Sequence, residues 1–411
     1  MYGCTESGIL AQGVVLPGSR LDVKGNEIHA TGDGIVVGVD NARVINNDIA
    51  AWGESNGNGI ALRSGLDLAG LYGCQVIGNR ITGVTGYGIS LRASVRSAMI
   101  QQNMIDGVGS GGIVMEHDGK ADNLSIENNQ LLNIAPKVAP SDAAIMGIRL
   151  MNTAQGAITG NTINGVGQNA VETLSYAGIQ VMGVSSSVRI AGNEVVNIGP
   201  GIPKKDARGS GIEVITPFDS VDVIDNRVRC SLQQSPQGST SSWQALRIGP
   251  SQETVNGPFP FSVESLFPNV SNRGGGPVPS GRGAAPDPLR RENTAIHGNF
   301  LEVQGAGSAA GYSPAGTAGS AVTIEVSGDC AFIDNRCWRF LAYSGPVIEI
   351  KARTIIASSN HIRGIARGPA MSLDVSPGHF TVLGNVVQGT IEIKGGGPIG
   401  DPWGQLNCDN T

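Results

Sequence analysis

The sequence predicts an all-β fold, a right-handed parallel β-helix solenoid of about 12 coils with long loops in its middle coils. Two patterns support this prediction. A phrase of Asn, any residue and an aliphatic residue recurs through the chain, and a second short strand lies between successive copies. The composition agrees with many tight corners around a narrow interior, since 61 of 411 residues are Gly and only 4% are aromatic.

The recurring Asn marks one corner of each predicted coil. It stands at Asn26, Asn47, Asn79, Asn103, Asn129, Asn161, Asn193, Asn226, Asn299, Asn335, Asn360 and Asn385. Asn tolerates the left-handed backbone conformation that a sharp corner needs, and its amide can both donate to and accept from the same Asn one coil away. We therefore expect an internal ladder of Asn side chains with a structural role.

Two kinds of short strand complete each coil. An alternating run such as 44–46 or 76–78 precedes each Asn, and a Gly-Ile pair opens a second strand in most coils. The Gly-Ile pairs begin at Gly34, Gly59, Gly88, Gly112, Gly147, Gly178 and Gly211. We expect a lead-in with the first coil over 1–20, the β-helix over 21–394 with a long insertion at 249–292, and a tail or cap over 395–411.

Composition and cysteine spacing exclude several classes of function. The formal net charge is −6 and no Lys/Arg run is present, so nucleic acid is not an expected partner. No apolar stretch approaches the roughly 20 residues that span a bilayer, so no membrane insertion is expected. The six cysteines show no metal-ligand spacing, so we expect neither a metal nor another cofactor. Cys74, Cys330 and Cys337 occupy aliphatic positions and are predicted to be buried thiols, the alternative being a bridge between Cys330 and Cys337.

The repeat from about Leu21 to Ile393 resembles the pectate-lyase-like right-handed parallel β-helix superfamily. That superfamily includes lyases, hydrolases, epimerases, phage tailspikes and proteins without activity. The resemblance implies an extracellular, cell-surface or virion-surface protein with a polysaccharide site on the outer side of the Gly-Ile strands. The motifs of polygalacturonases, pectate lyases and alginate epimerases are missing from the sequence, so the resemblance leaves open whether the protein is an enzyme. If it is one, a polysaccharide lyase or a glycoside hydrolase is implied.

The middle coils, where the loops are longest, contain the first candidate site. Its outward residues are expected on consecutive coils, with two aromatic residues in the adjoining loops: Arg149, Gln180, Glu213, Arg247 and Glu325, with Tyr176 and Trp243. Arg side chains bind uronate carboxylates, amides bind hydroxyls, and aromatic rings pack on sugar faces. Arg149, Gln180, Tyr176 and Trp243 are therefore predicted to bind substrate.

Three of these residues are candidates for catalysis. Glu213 and Glu325, about two coils apart, suit two-carboxylate hydrolysis. Arg247 is the alternative, as the base of a β-elimination. The structural alternative is that opposite charges on neighbouring coils form a ladder of surface ion pairs.

A second constellation lies nearer the amino end. Arg63 and Arg92 occupy the next outward position on their coils, and Glu116 and His117 follow on the third. A His beside carboxylates and two Arg suits acid/base chemistry, with the Arg pair binding substrate. The alternative is that His117 is an ordinary turn residue.

Two functions follow from these candidates. The first is a protein that binds, and in its stronger form cleaves, a polysaccharide or oligosaccharide along an outer groove of the helix. The second is a non-catalytic shaft or display module of a larger bacterial or phage assembly. A groove requires Arg149, Glu213 and Arg247 to be exposed and unpaired, whereas a shaft pairs them. Because no amphipathic helix covers the first coil, we also expect a homotrimer or a preceding domain there.

Overall fold

The chain folds into a solenoid of stacked strands with three faces. The computed structural model describes residues 7–12, 20–51, 57–63, 70–92, 94–116, 119–135, 144–169, 175–200, 207–215, 217–232, 242–250, 292–305, 320–343, 345–366, 368–395 and 405–407. Within these ranges there are 39 strands, numbered here in chain order, and no helix. Every pairing between these strands is parallel, as the coil repeat predicts.

The first face contains the strands that the Gly-Ile pairs predicted. They are β1 (Ser7–Gln12), β4 (Asp33–Gly38), β7 (Ile60–Leu62), β11 (Tyr87–Leu91), β15 (Gly111–Met115), β19 (Ala144–Met151), β22 (Ser175–Met182), β25 (Arg208–Ile215), β28 (Ser242–Gly249), β31 (Val322–Glu325), β34 (Ile348–Ser358), β36 (Met371–Leu383) and β38 (Ile391–Lys394). Each pairs with the equivalent strand of the next coil. This face carries the outward residues of both candidate sites.

The second face consists of the strands that precede each ladder Asn. They are β2 (Asp22–Lys24), β5 (Arg43–Ile45), β9 (Gln75–Ile77), β13 (Met99–Gln101), β17 (Leu124–Glu127), β20 (Gln155–Thr159), β23 (Ser185–Ala191), β26 (Phe218–Ile224), β29 (Asn293–His297), β32 (Asp329–Ile333) and β39 (Gln405–Asn407). The long strands β34 and β36 run through both the first and second faces, which therefore form one 24-stranded sheet.

The third face follows each ladder Asn and is a 12-stranded sheet. Its strands are β3 (Glu27–Ala30), β6 (Asp48–Ala51), β10 (Arg80–Thr82), β14 (Met104–Asp106), β18 (Gln130–Ile134), β21 (Thr162–Val166), β24 (Glu194–Ile198), β27 (Arg227–Leu232), β30 (Phe300–Gly305), β33 (Arg336–Tyr343), β35 (His361–Ala366) and β37 (Val386–Val387). A small sheet of β8 (Leu71–Tyr72), β12 (Ser94–Arg96) and β16 (Lys120–Asp122) lies between the first and second faces along the chain.

The predicted Asn ladder runs from Asn26 to Asn385. Each amide Nδ2 donates to the Oδ1 of the next ladder Asn at 2.8–3.1 Å. At Asn129 the same Nδ2 also donates to the Ile100 carbonyl, and Oδ1 accepts from both the backbone and the side chain of Asn103. The amide is thus fully hydrogen-bonded inside the shaft, which confirms its structural role.

The left-handed corner lies one residue before each ladder Asn. The expectation that the Asn itself adopts this conformation is therefore wrong. The residues with φ between 52° and 68° at these corners are Gly25, Asn46, Gly78, Gln102, Asn128, Gly160, Gly192, Asp225, Gly298, Asp334, Ser359 and Gly384. Gly, Asn and Asp supply most of them because they tolerate positive φ.

Interior packing explains the Gly of the Gly-Ile pairs. A Cβ at Gly34 would lie 2.4 Å from Ile49, and a Cβ at Gly178 would lie 2.2 Å from Val195. Both contacts are with the aliphatic residue that follows a ladder Asn on the third face. The first face therefore approaches the third too closely at this position for a side chain to fit.

The interior is apolar and includes four cysteines. Cys74, Cys330 and Cys337 are buried free thiols, as predicted, and so is Cys230. The alternative of a bridge between Cys330 and Cys337 is wrong. Burial raises the pKa of Cys74 to about 11 and that of Cys330 to about 12.

Strands of the solenoid extend into both predicted flanking segments. β1 begins at Ser7 and pairs with β4, and β39 pairs with the end of β36. Residues 396–404 and 408–411 of the predicted tail or cap and residues 251–291 of the long insertion lie outside the described residues.

Candidate functional site

Four of the predicted outward residues form one column on the first face, here called the central column. Arg149 of β19 pairs in register with Gln180 of β22, which pairs with Glu213 of β25, which pairs with Arg247 of β28. The inward Ile residues that precede the first three of them hold this register. The column therefore places two cations, an amide and a carboxylate on four successive coils.

Glu325 does not belong to the central column. The residue that pairs with Arg247 on the next coil is Thr323, two residues earlier. Glu325 instead pairs with Lys351, and the two side chains form an exposed ion pair of 2.8 Å. The hydrogen bond from Lys351 to Glu325 raises the pKa of the lysine. The prediction that Glu213 and Glu325 lie on one column, as a pair of hydrolase carboxylates, is therefore wrong.

Glu213 is fully engaged by its neighbours. Its Oε2 accepts from Gln180 Nε2 at 2.7 Å, and its Oε1 accepts from Arg247 Nη1 at 2.5 Å. The carboxylate is 13% exposed and the Arg247 side chain 8%. The second nitrogen of Arg247, Nη2, donates to the carbonyl of Pro250. Neither Glu213 nor Arg247 is free to act as a base, so this part of the column matches the paired arrangement expected of a shaft.

Arg149 differs from Arg247 because its guanidinium has no ion-pair partner in the part of the chain that the structure describes. The residue is 9% exposed, which departs from the exposure expected of a groove, and its guanidinium makes one hydrogen bond to a described residue, from Nε to the carbonyl of Met115 at 3.3 Å. It forms no ion pair with any residue in the described ranges. Burial lowers the pKa of Arg149, although Tyr87 and Glu116 lie near enough to oppose that shift. The next residue of the column, Gln180, has a buried Oε1 that accepts no hydrogen bond.

The amino-terminal constellation is a second set of ion pairs on the same face. Arg63 pairs with Asp33, and Arg92 Nε contacts Glu116 Oε1 at 2.6 Å. Ser90 donates to the same Glu116 oxygen at 2.5 Å. The hydrogen bond from Arg92 to Glu116 raises the pKa of the guanidinium. His117 lies outside the described residues, so its predicted role stays a prediction.

The two constellations are neighbours. Tyr87 and Glu116 both act electrostatically on Arg92, and both also act on Arg149. Arg149 thus lies between the amino-terminal ion pairs and the rest of the central column. The sequence reasoning missed Tyr87, because alternation from the inward Ile89 assigns residue 87 to the inner side.

Tyr176 and Trp243 are not sugar-binding rings in surface loops. They lie in β22 and β28 and are 1% and 2% exposed. Their ring centroids are 6.1 Å apart, and Trp243 Nε1 donates to the Ile198 carbonyl at 2.9 Å. Both rings pack in the interior, so their predicted role in substrate binding is wrong.

The described residues contain no cluster of three or more His, Cys, Asp or Glu arranged to hold a metal ion. In the same part of the chain, no helix has the length and apolarity that a membrane span requires.

A comparison with protein-family models agrees with this architecture. A family model described as a right-handed beta helix region matches residues 7–195. No curated protein matches the chain. Among solved structures, a tailspike protein mutant of E. coli bacteriophage HK620 in complex with a pentasaccharide is 10% identical, with a TM-score of 0.42, over 93% of this chain and 72% of that one. The coils and the family match over the amino-terminal part of the chain show a right-handed parallel β-helix fold.

Proposed function

We propose that the protein binds an acidic polysaccharide, one with carboxylated sugars, along the outer side of its first face. The observation that carries this proposal is the guanidinium of Arg149, which is buried and forms no ion-pair contact with a described residue. An unpaired buried charge is costly, and a ligand carboxylate would offset that cost through a forked pair of hydrogen bonds.

Gln180 supports a sugar as the carrier of that carboxylate. Its Oε1 is buried without a hydrogen-bond donor, while its Nε2 is already held by Glu213. A sugar hydroxyl is a donor of the kind this oxygen lacks. Because Arg149 and Gln180 lie on adjacent coils, about 4.8 Å apart, one carboxylated sugar could contact both.

Cleavage of the polysaccharide is a further hypothesis, and it is better placed at Glu116 than at Glu213. Both oxygens of Glu213 accept strong hydrogen bonds. Among the described residues, Ser90 and Arg92 both donate to Glu116 Oε1 and none donates to Oε2, and the side chain is 22% exposed. A Glu116→Gln variant that retains binding but releases no products, where the wild type does, would support this placement.

Binding calorimetry with a carboxylated polysaccharide tests the proposal. Arg149→Gln should weaken binding about tenfold or more, since a hydrogen bond to a charged group contributes ~1.5–3 kcal/mol. Arg96→Gln is the matched control, because it removes an exposed cation from the small sheet. It should bind as the wild type does. Equal affinity of the Arg149 variant and the wild type would refute the proposal.

The alternative is a non-catalytic shaft of a larger bacterial or phage assembly. The buried Glu213–Arg247 pair and the Asn ladder favour it, because both join neighbouring coils. The absence of binding to any carboxylated polysaccharide would favour this shaft function.

A further inference from the structure

An aromatic patch lies on the outer side of the third face, away from the central column. It consists of Phe300 in β30 and of Trp338 and Phe340 in β33. Phe300 and Trp338 meet edge to face with ring centroids 4.9 Å apart, and Trp338 and Phe340 do so at 6.1 Å. Phe340 is 47% exposed and the other two rings are half-buried. Since aromatic residues make up only 4% of the chain, three together on an outer surface indicate a contact surface.

Two unpaired cations border the aromatic patch. Arg336 pairs in register with Phe300, and Arg363 pairs with Trp338. Both side chains are exposed, and neither forms an ion pair or a hydrogen bond with a residue of the described ranges. The carboxylate nearest in register, Glu302, is buried and already accepts from Arg229 at 2.7 Å. The patch therefore presents positive charge although the chain as a whole carries −6.

We propose that the aromatic patch is a second binding surface for an acidic glycan. The exposed rings offer flat apolar surfaces against which the C–H faces of sugars can pack. Arg336 lies in β33 beside two of the rings and Arg363 lies on the next coil, so each can pair with a carboxylate of the same glycan. In addition, the buried Nε1 of Trp338 lacks an acceptor, and a glycan oxygen at the edge of the patch would supply one.

The charge distribution favours a glycan over a nucleic acid. A nucleic acid strand presents a phosphate about every 3.4 Å, and its binding depends on many Lys or Arg contacts. The patch offers two unpaired cations on a chain of net charge −6. A glycan has carboxylates at intervals, with apolar sugar faces between them. These groups match the two Arg side chains and the aromatic rings of the patch.

The test is calorimetry with an oligogalacturonate short enough to occupy one site at a time. The wild type should bind at two sites, and Arg149→Gln at one. The affinity of that remaining site should fall about tenfold or more in two further variants of the Arg149→Gln protein. One adds Arg336→Gln and Arg363→Gln together, and the other adds Phe340→Ala alone. These are exposed positions, so folding is not at risk, and circular dichroism checks it. Arg96→Gln is the charge control.

Each outcome separates the two sites. If the wild type binds at one site and Arg149→Gln abolishes that binding, the aromatic-patch proposal is overturned and the first-face proposal stands. If the wild type binds at one site and only the patch variants abolish that binding, the first-face proposal is overturned and the aromatic-patch proposal stands. No binding at all would overturn both. Equal binding of poly-glutamate at the patch would also overturn this proposal, because it would identify an acidic peptide as an equally good ligand.

Discussion

Asn129→Ala in the middle of the ladder should lower the free energy of unfolding by about 3–5 kcal/mol. Asn129 Oδ1 accepts from the backbone N and from Nδ2 of Asn103 at 3.0 and 2.9 Å. Its Nδ2 donates to Ile100 O and to Asn161 Oδ1 at 3.0 and 2.9 Å. Alanine removes all four hydrogen bonds and leaves two buried donors of Asn103 short of an acceptor. Each such loss costs about 1–3 kcal/mol.

The matched control is Asn26→Ala at the first ladder position. Asn26 is only partly buried, and its side chain makes one ladder bond, from Nδ2 to Asn47 Oδ1 at 2.8 Å. This variant should cost about 1 kcal/mol. Guanidinium unfolding followed by far-ultraviolet circular dichroism measures both. Equal costs at Asn26 and Asn129, or a cost below ~1 kcal/mol at Asn129, would refute the view that satisfied amides hold the coils together.

Three further predictions follow from the packing. Gln102→Gly should raise the thermal midpoint, because Gln102 has φ 55° and the left-handed conformation costs ~1–2 kcal/mol outside Gly; a lower midpoint would count against the corner assignment. Trp243→Ala should destabilise the fold by about 3–5 kcal/mol without changing the glycan affinity of the folded protein. A lower affinity of the folded variant would indicate that Trp243 contacts the glycan. Cys230 and Cys330 should resist alkylation at pH 8, as read by mass spectrometry, because burial raises each pKa to about 12; labelling of the native protein would contradict their burial.

The fold could be predicted from the sequence because its repeat is local. One Asn, one aliphatic residue and one Gly-Ile pair per coil set the three faces, and each face pairs only with its own copies. The register was predictable as far as Arg247. Ala245 already replaces the Gly of the pair in the coil of Arg247, and Ala321 replaces it in the next coil, where Glu325 was placed two residues out of register.

The site was predicted less well because pairing and burial depend on neighbouring coils. The sequence placed Arg149, Gln180 and Glu213 on one column. Whether Arg149 or Arg247 would form an ion pair depended on which side chain reaches a carboxylate of a neighbouring coil, and the sequence does not show this. Tyr176 and Trp243 were assigned to loops because the long insertions beside them obscured where β22 and β28 begin. The aromatic patch was missed because only the outward residues of the Gly-Ile strands were considered, whereas its rings lie on two successive strands of the third face.

The most direct test of the central claim compares one polysaccharide in two forms. Wild-type protein is titrated with a uronate-containing polysaccharide and with the same polymer after its carboxyl groups have been reduced to alcohols. We predict saturable binding of the acidic form that weakens as salt rises, and little or no binding of the reduced form. Equal affinity for both forms would contradict the claim that the buried charge of Arg149 selects a carboxylated sugar.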